Sequence, residues 1–76
     1  MLYGIKTNIG SFEDIRWIDE SKLATRLIAS IAIETSMKKL REIENFEVLE
    51  ESNEKFIAKG KDTGIIFSVN VIEVGV

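Results

Sequence analysis

Hydrophobic and polar positions alternate along most of this chain, and in one stretch the alternation gives way to helical spacing. From Tyr3 to Ile9, Tyr3, Ile5, Thr7 and Ile9 are interleaved with Gly4, Lys6 and Asn8, the period-two pattern of a half-buried strand. Asn8-Ile9-Gly10-Ser11 reads as a turn. Phe12 to Ile18 supports two readings. Ile15 and Trp17 alternate with Asp14 and Arg16, which favours a second strand closing a hairpin, whereas Phe12, Ile15 and Ile18 also lie at helical spacing behind a Ser11–Asp14 pair resembling a capping box. The strand is the preferred reading.

A long helix follows. Asp19 is placed to cap it, Glu20 suits the positive end of its dipole, and Ile18 with Leu23 can form a hydrophobic staple. No glycine or proline interrupts the chain from there to Ile43, and Lys38, Lys39 and Arg41 gather where cations suit the negative end. Beyond it, Phe46 and Val48 start one strand, Ser52-Asn53-Glu54 a turn, and Phe56 and Ala58 a second strand. Gly60-Lys61-Asp62-Thr63-Gly64 makes a polar loop before a last strand from Ile65 to Val74, whose inward row is Ile65, Phe67, Val69 and Val71. The expected fold is α+β, with one long helix packed on an antiparallel sheet in the order β(β)αβββ.

The helix carries two apolar rows on nearly opposite sides. Leu23, Leu27 and Ile31 form one, with Ala24 and Ile28 beside it; Ile33, Met37 and Leu40 form the other, adjoined by Ala29. A helix on a single sheet needs one stripe of a little over 100°. Either the helix bends near Glu34-Thr35-Ser36 and turns both rows to the sheet, or one row meets a partner. The second alternative is preferred: a homodimer or larger assembly whose interface is Ala29, Ile33, Met37 and Leu40, with Ile72 or Val74 contributing. Three large aliphatic residues on the outer row of the last strand, Ile66, Ile72 and Val74, point the same way. The lone Trp17 is expected to anchor the hairpin in the core, or failing that to anchor an interface.

Composition narrows the chemistry. The 76 residues are enough for a single domain, residues 1–76, and a core this small gains from self-association. There is no cysteine and no histidine, which removes disulfides, thiolate metal sites, the commonest zinc ligand and the commonest general base together. The acidic pairs Glu13-Asp14 and Glu50-Glu51 occupy successive strand positions that point to opposite faces, and with Asp19-Glu20 they read as solvated surface. Glu34, close in angle to Leu23 and Leu27, is the single acid best placed to be partly buried near an interface. The glycine-bounded loop 60–64 lacks the following helix of a phosphate-binding loop. The expectation is a protein that is not an enzyme, with no cofactor and no metal site. A net charge of −3 and a single basic cluster already suited to a helix end argue against nucleic acid. No apolar run approaches the ~20 residues that span a bilayer, and no targeting segment is evident, so no membrane partner and a cytoplasmic location are expected.

One local run carries a resemblance. Leu40-Arg41-Glu42-Ile43-Glu44-Asn45-Phe46-Glu47-Val48 resembles the helix end and Phe-Glu-Val strand start of dodecins, small flavin-binding oligomers. Asn45 stands where that family carries its flavin-stacking tryptophan, and Phe12–Ile18 has no counterpart there. The resemblance implies an alternative function, a homo-oligomer binding flavin or another metabolite. The function expected from the residues is a small non-catalytic protein-interaction module, by analogy with phage-encoded viral proteins that inhibit a host protein by masking its surface.

Overall fold

The computed structural model describes residues 1–75. Strands β1 (Leu2–Ile9) and β2 (Phe12–Asp19) form a hairpin, and α1 (Lys22–Arg41) follows. Strands β3 (Phe46–Glu51), β4 (Lys55–Gly60) and β5 (Ile66–Val74) then form a meander. All neighbours are antiparallel, in the sheet order β2-β1-β5-β4-β3. The α+β class and the element order are as the hydrophobic pattern predicts, and Phe12–Asp19 is a strand. Helix α1 carries the chain from one edge of the sheet, β2, to the other, β3. Its 20 residues measure about 30 Å, more than the roughly 19 Å from one edge strand to the other.

The turns follow their chemistry. Gly10 closes the β1–β2 hairpin at φ +60°, and Gly64 ends the β4–β5 loop at φ +74°, a region that only glycine enters without strain. At the β3–β4 turn the Ser52 hydroxyl accepts hydrogen bonds from the backbone N–H groups of Glu54 and Lys55. Asp19 is the last residue of β2 and not the helix cap. Its carboxylate accepts from the Ser21 N–H, and Ser21 caps α1 by accepting from the Ala24 N–H at 3.2 Å. The helix ends at Arg41 rather than near Ile43, with Lys38, Lys39 and Arg41 in its last turn.

The core lies between α1 and one face of the sheet. Ile5 of β1, Phe56 and Ala58 of β4, and Phe67 and Val69 of β5 meet Ala29 and Met37 of the helix, with Ile18, Ile33, Leu40, Phe46 and Val71 packed around them. Phe56 and Phe67 pack edge to face with centroids 6.2 Å apart. Thr25 is fully buried, and its hydroxyl donates to the Ser21 carbonyl at 2.9 Å, so its polar atom enters the core satisfied.

Candidate functional site

Helix α1 is continuous through Glu34-Thr35-Ser36, so no bend turns both apolar rows inward. The row that meets the sheet is Ala29, Ile33, Met37 and Leu40: Ala29 and Met37 are buried, and Ile33 and Leu40 pack against the core. These residues, expected at an interface with a second copy, are held inside the protomer. The opposite row is the exposed one, with Leu23, Leu27 and Ile31 at 67%, 60% and 64% exposure and Ile28 at 43%. The sequence separates two rows of equal period correctly but not their roles, because the roll of the helix is set by tertiary contacts. Small residues, Thr25 and Ala29, bring the helix axis close to the sheet. Lys22 and Arg26 both reach Glu54 in the β3–β4 turn, which ties that side of the helix to the sheet.

Ile72 and Val74 also lie away from the expected interface. Ile72 is paired with Gly4, one position out of phase with the Val71–Ile5 pair that faces the core, so both residues belong to the sheet face away from α1. Among the described residues no helix covers that face. It carries Ile15, Trp17, Ile57, Ile66, Ile72 and Val74 among Lys6, Asn70, Lys55 and Lys59, a mixed surface. Trp17 is not in the core: it is 47% exposed on the edge strand and lies across Gly4, where a Cβ would come within 2.7 Å of both its ring and the Arg16 carbonyl. Glu34 is exposed rather than partly buried.

Two of the concavities beside the helix are mainly apolar. Where α1 leaves β2 uncovered there is a groove of about 300 Å³ lined by Ile5, Thr7, Phe12, Asp14, Arg16, Ile18, Ile28 and Ala32. Beneath the C-terminal end of α1, Ile9, Leu40, Ile43, Phe46, Ile65 and Phe67 line a cleft of about 220 Å³ that is almost wholly apolar. The second is smaller than the ~300–1,000 Å³ typical of ligand pockets.

Two glutamates are held by the fold. The Glu44 carboxylate accepts from the backbone N–H groups of Asp62 and Thr63 at 3.2 and 3.3 Å and so shapes the loop 60–64. A Cβ at Gly60 would stand 2.1 Å from that oxygen, which is why the loop opens on a glycine. Partial desolvation opposes ionisation of Glu44, but hydrogen bonds from the backbone and side chain of Thr63 and the backbone of Asp62 outweigh it, leaving its carboxyl below the usual glutamate range. Glu54 is lowered too, by hydrogen bonds from Lys22 and Arg26 that outweigh desolvation. A lowered folded-state value means the carboxylate stabilises the fold above the unfolded glutamate range, and that contribution is lost as the pH falls through the folded value. Urea midpoints are therefore expected to decline below about pH 5, and a Glu44→Gln protein to decline less steeply, its midpoint converging on wild type in acid. Parallel declines in the two proteins would show that Glu44 is not held in this way.

Among the described residues, no group of three or more acidic side chains converges to hold a metal ion. None of the helices described is long and apolar enough to cross a membrane. Searches of protein families, of characterised proteins and of solved structures find no match to this chain.

Proposed function

We propose that this protein is a small non-catalytic interaction module that acts by covering an apolar surface of another protein with the outer face of α1. The observation that carries the reading is the exposed row Leu23, Leu27 and Ile31, the i, i+4, i+8 spacing of an amphipathic helix that lays its apolar side into a partner's groove. Exposed apolar side chains are ordinary when scattered, but a contiguous helical row is characteristic of an interaction surface. The side of the row toward β3 carries the acids Glu34 and Glu51, both exposed. A partner with an apolar groove and a basic rim complements this arrangement, in keeping with an inhibitor that masks such a surface on a host protein.

A photo-crosslinking side chain at position 27, in cells that make the protein, is expected to yield a discrete adduct with one other protein. The same group at position 47, on the sheet face away from α1, is expected to yield none. Equal, diffuse labelling from both positions would contradict the reading. Once the partner is isolated, Leu27→Glu is expected to weaken its binding by about tenfold or more.

A second reading, a homo-oligomer that binds a small apolar metabolite or flavin, draws its support from the apolar cleft, to which Leu40, Ile43 and Phe46 of the dodecin-like segment contribute. It predicts a chromophore or an extractable metabolite at one per chain in freshly purified protein, and a colourless, ligand-free preparation would contradict it.

A further inference from the structure

The two edges of the sheet are guarded very differently. Strand β3 carries Glu47, Glu50 and Glu51 and is broken by a bulge between Val48 and Glu50, the devices that keep an edge from pairing with another chain. Strand β2 is interrupted by a register shift only beyond Trp17, and its charges, Glu13, Asp14, Arg16 and Asp19, are of both signs rather than uniformly acidic. From Phe12 to Trp17 its register with β1 is regular, and Phe12, Ile15 and Trp17 are 62%, 44% and 47% exposed. Its charges Asp14 and Arg16 lie on the helix side of the strand, paired with each other at 3.2 Å.

From this edge we infer a two-fold symmetric dimer in which β2 pairs antiparallel with β2 of a second copy, centred on Ile15, joining two five-stranded sheets into one. Facing residues must point to the same side of a sheet, so in a symmetric antiparallel pair one residue faces its own copy. Centring on Ile15 sets Ile15 against Ile15, Asp14 against Arg16 of the second copy, and Glu13 against Trp17. The Asp14–Arg16 match occurs twice, and with the pairs already formed along each strand it makes an alternating array of four charges. The neighbouring symmetric registers fail on charge. Centring on Asp14 sets aspartate against aspartate at the axis, Arg16 sets arginine against arginine, and Glu13 sets glutamate against glutamate; like charges directly opposed are destabilising. Only the Ile15 register sets the opposite charges against each other.

The helix side supports the same occupant. The two-fold axis leaves both α1 helices on one face of the joined sheet, with the grooves along the two β2 strands adjoining. Phe12 and Ile28, 62% and 43% exposed, border that groove, and in this register Phe12 lies opposite Ile18 of the second copy. This surface meets the Leu23–Leu27–Ile31 row only at Ile28, and the seam residues Asp14, Ile15 and Arg16 on β2 lie outside that row, so variants there test the dimer without altering it.

Sedimentation velocity from micromolar to millimolar wild-type protein is expected to show a dimer that saturates. Asp14→Arg and Arg16→Asp each place four like charges at the seam and are expected to dissociate at least tenfold more readily. Mixed in equal amounts they are expected to recover dimer, since one chain then presents two arginines and the other two aspartates. Because the natural chain has no cysteine, Ile15→Cys is expected to form an interchain disulfide on mild oxidation, and Glu47→Cys on the β3 edge is not. Melting curves establish that each variant folds; should a charge variant fail to, the cysteine pair alone decides. A monomer at all concentrations, indefinite growth from β2 pairing with β3, or a dimer that ignores both the charge variants and Ile15→Cys would overturn the proposal.

Discussion

A Phe67→Ala protein is expected to be largely unfolded at 25 °C. Phe67 is completely buried at the centre of β5, stacked edge to face on Phe56 and facing the helix among Val69 and Met37. Truncation removes the transfer energy of a ring and leaves a cavity that a sheet hydrogen-bonded on both sides of β5 closes poorly, a cost of about 3–5 kcal/mol. A single core in a chain this short supplies roughly 3–5 kcal/mol in all. Circular dichroism and urea unfolding read the outcome, and Phe67→Leu, which keeps most of the volume, is expected to retain a cooperative transition at a lower midpoint. A Phe67→Ala midpoint close to wild type would mean that β5 is not the centre of the core.

The second large effect is expected at Met37. Its side chain is 5% exposed, and its flexible thioether fills the space between the helix and the sheet. Met37→Glu places a carboxylate in a cluster whose other buried members, Ile5, Ala29, Phe56, Ala58, Phe67 and Val69, are all apolar. An uncompensated buried charge costs several kcal/mol, about as much as the whole fold provides. The protein is expected to unfold, or to fold only in acid where the carboxyl is neutral. Dissociation into folded monomers, the outcome expected were Met37 at an interface, would contradict this packing. Chemical denaturation at pH 7 and pH 4 distinguishes the two.

Much of this architecture is legible in the residues. Alternation places β1, β4 and β5 within a residue or two and identifies Phe67, Val69 and Val71 of the inward row, whereas Ile65, expected to head that row, precedes β5 and is 43% exposed. The absence of glycine and proline marked the helix. What misled was a pair of near-equivalent signals at each uncertain point. Asp19 and Ser21 are both good caps, and the hydrogen bond from the Ser21 N–H to Asp19 lets the serine take the role. The two apolar rows of α1 match in period and bulk, and which one faces inward is set by contacts distant in sequence, among them the core packing of the inner row and the tie from Lys22 and Arg26 to Glu54, 28 residues beyond Arg26. Trp17 shows no local sign of sitting on an outer strand, because its exposure depends on β2 being the sheet's edge, a product of β1 pairing with β5. The opposite charges flanking Ile15 in Asp14-Ile15-Arg16 are present in the sequence, but they acquire meaning only once β2 is placed at the edge of the sheet.

Helix α1 has one face that builds the fold and another that does not. Leu27→Glu tests that division most directly, because Leu27 lies at the middle of the outer row and is 60% exposed. Surface substitutions of this kind ordinarily change stability by less than about 0.5 kcal/mol. The purified variant is expected to give a urea-unfolding midpoint within error of wild type, while the Met37→Glu variant shows no folded baseline. A Leu27→Glu protein as unstable as Met37→Glu would contradict the account, since the outer row would then be part of what holds the chain together.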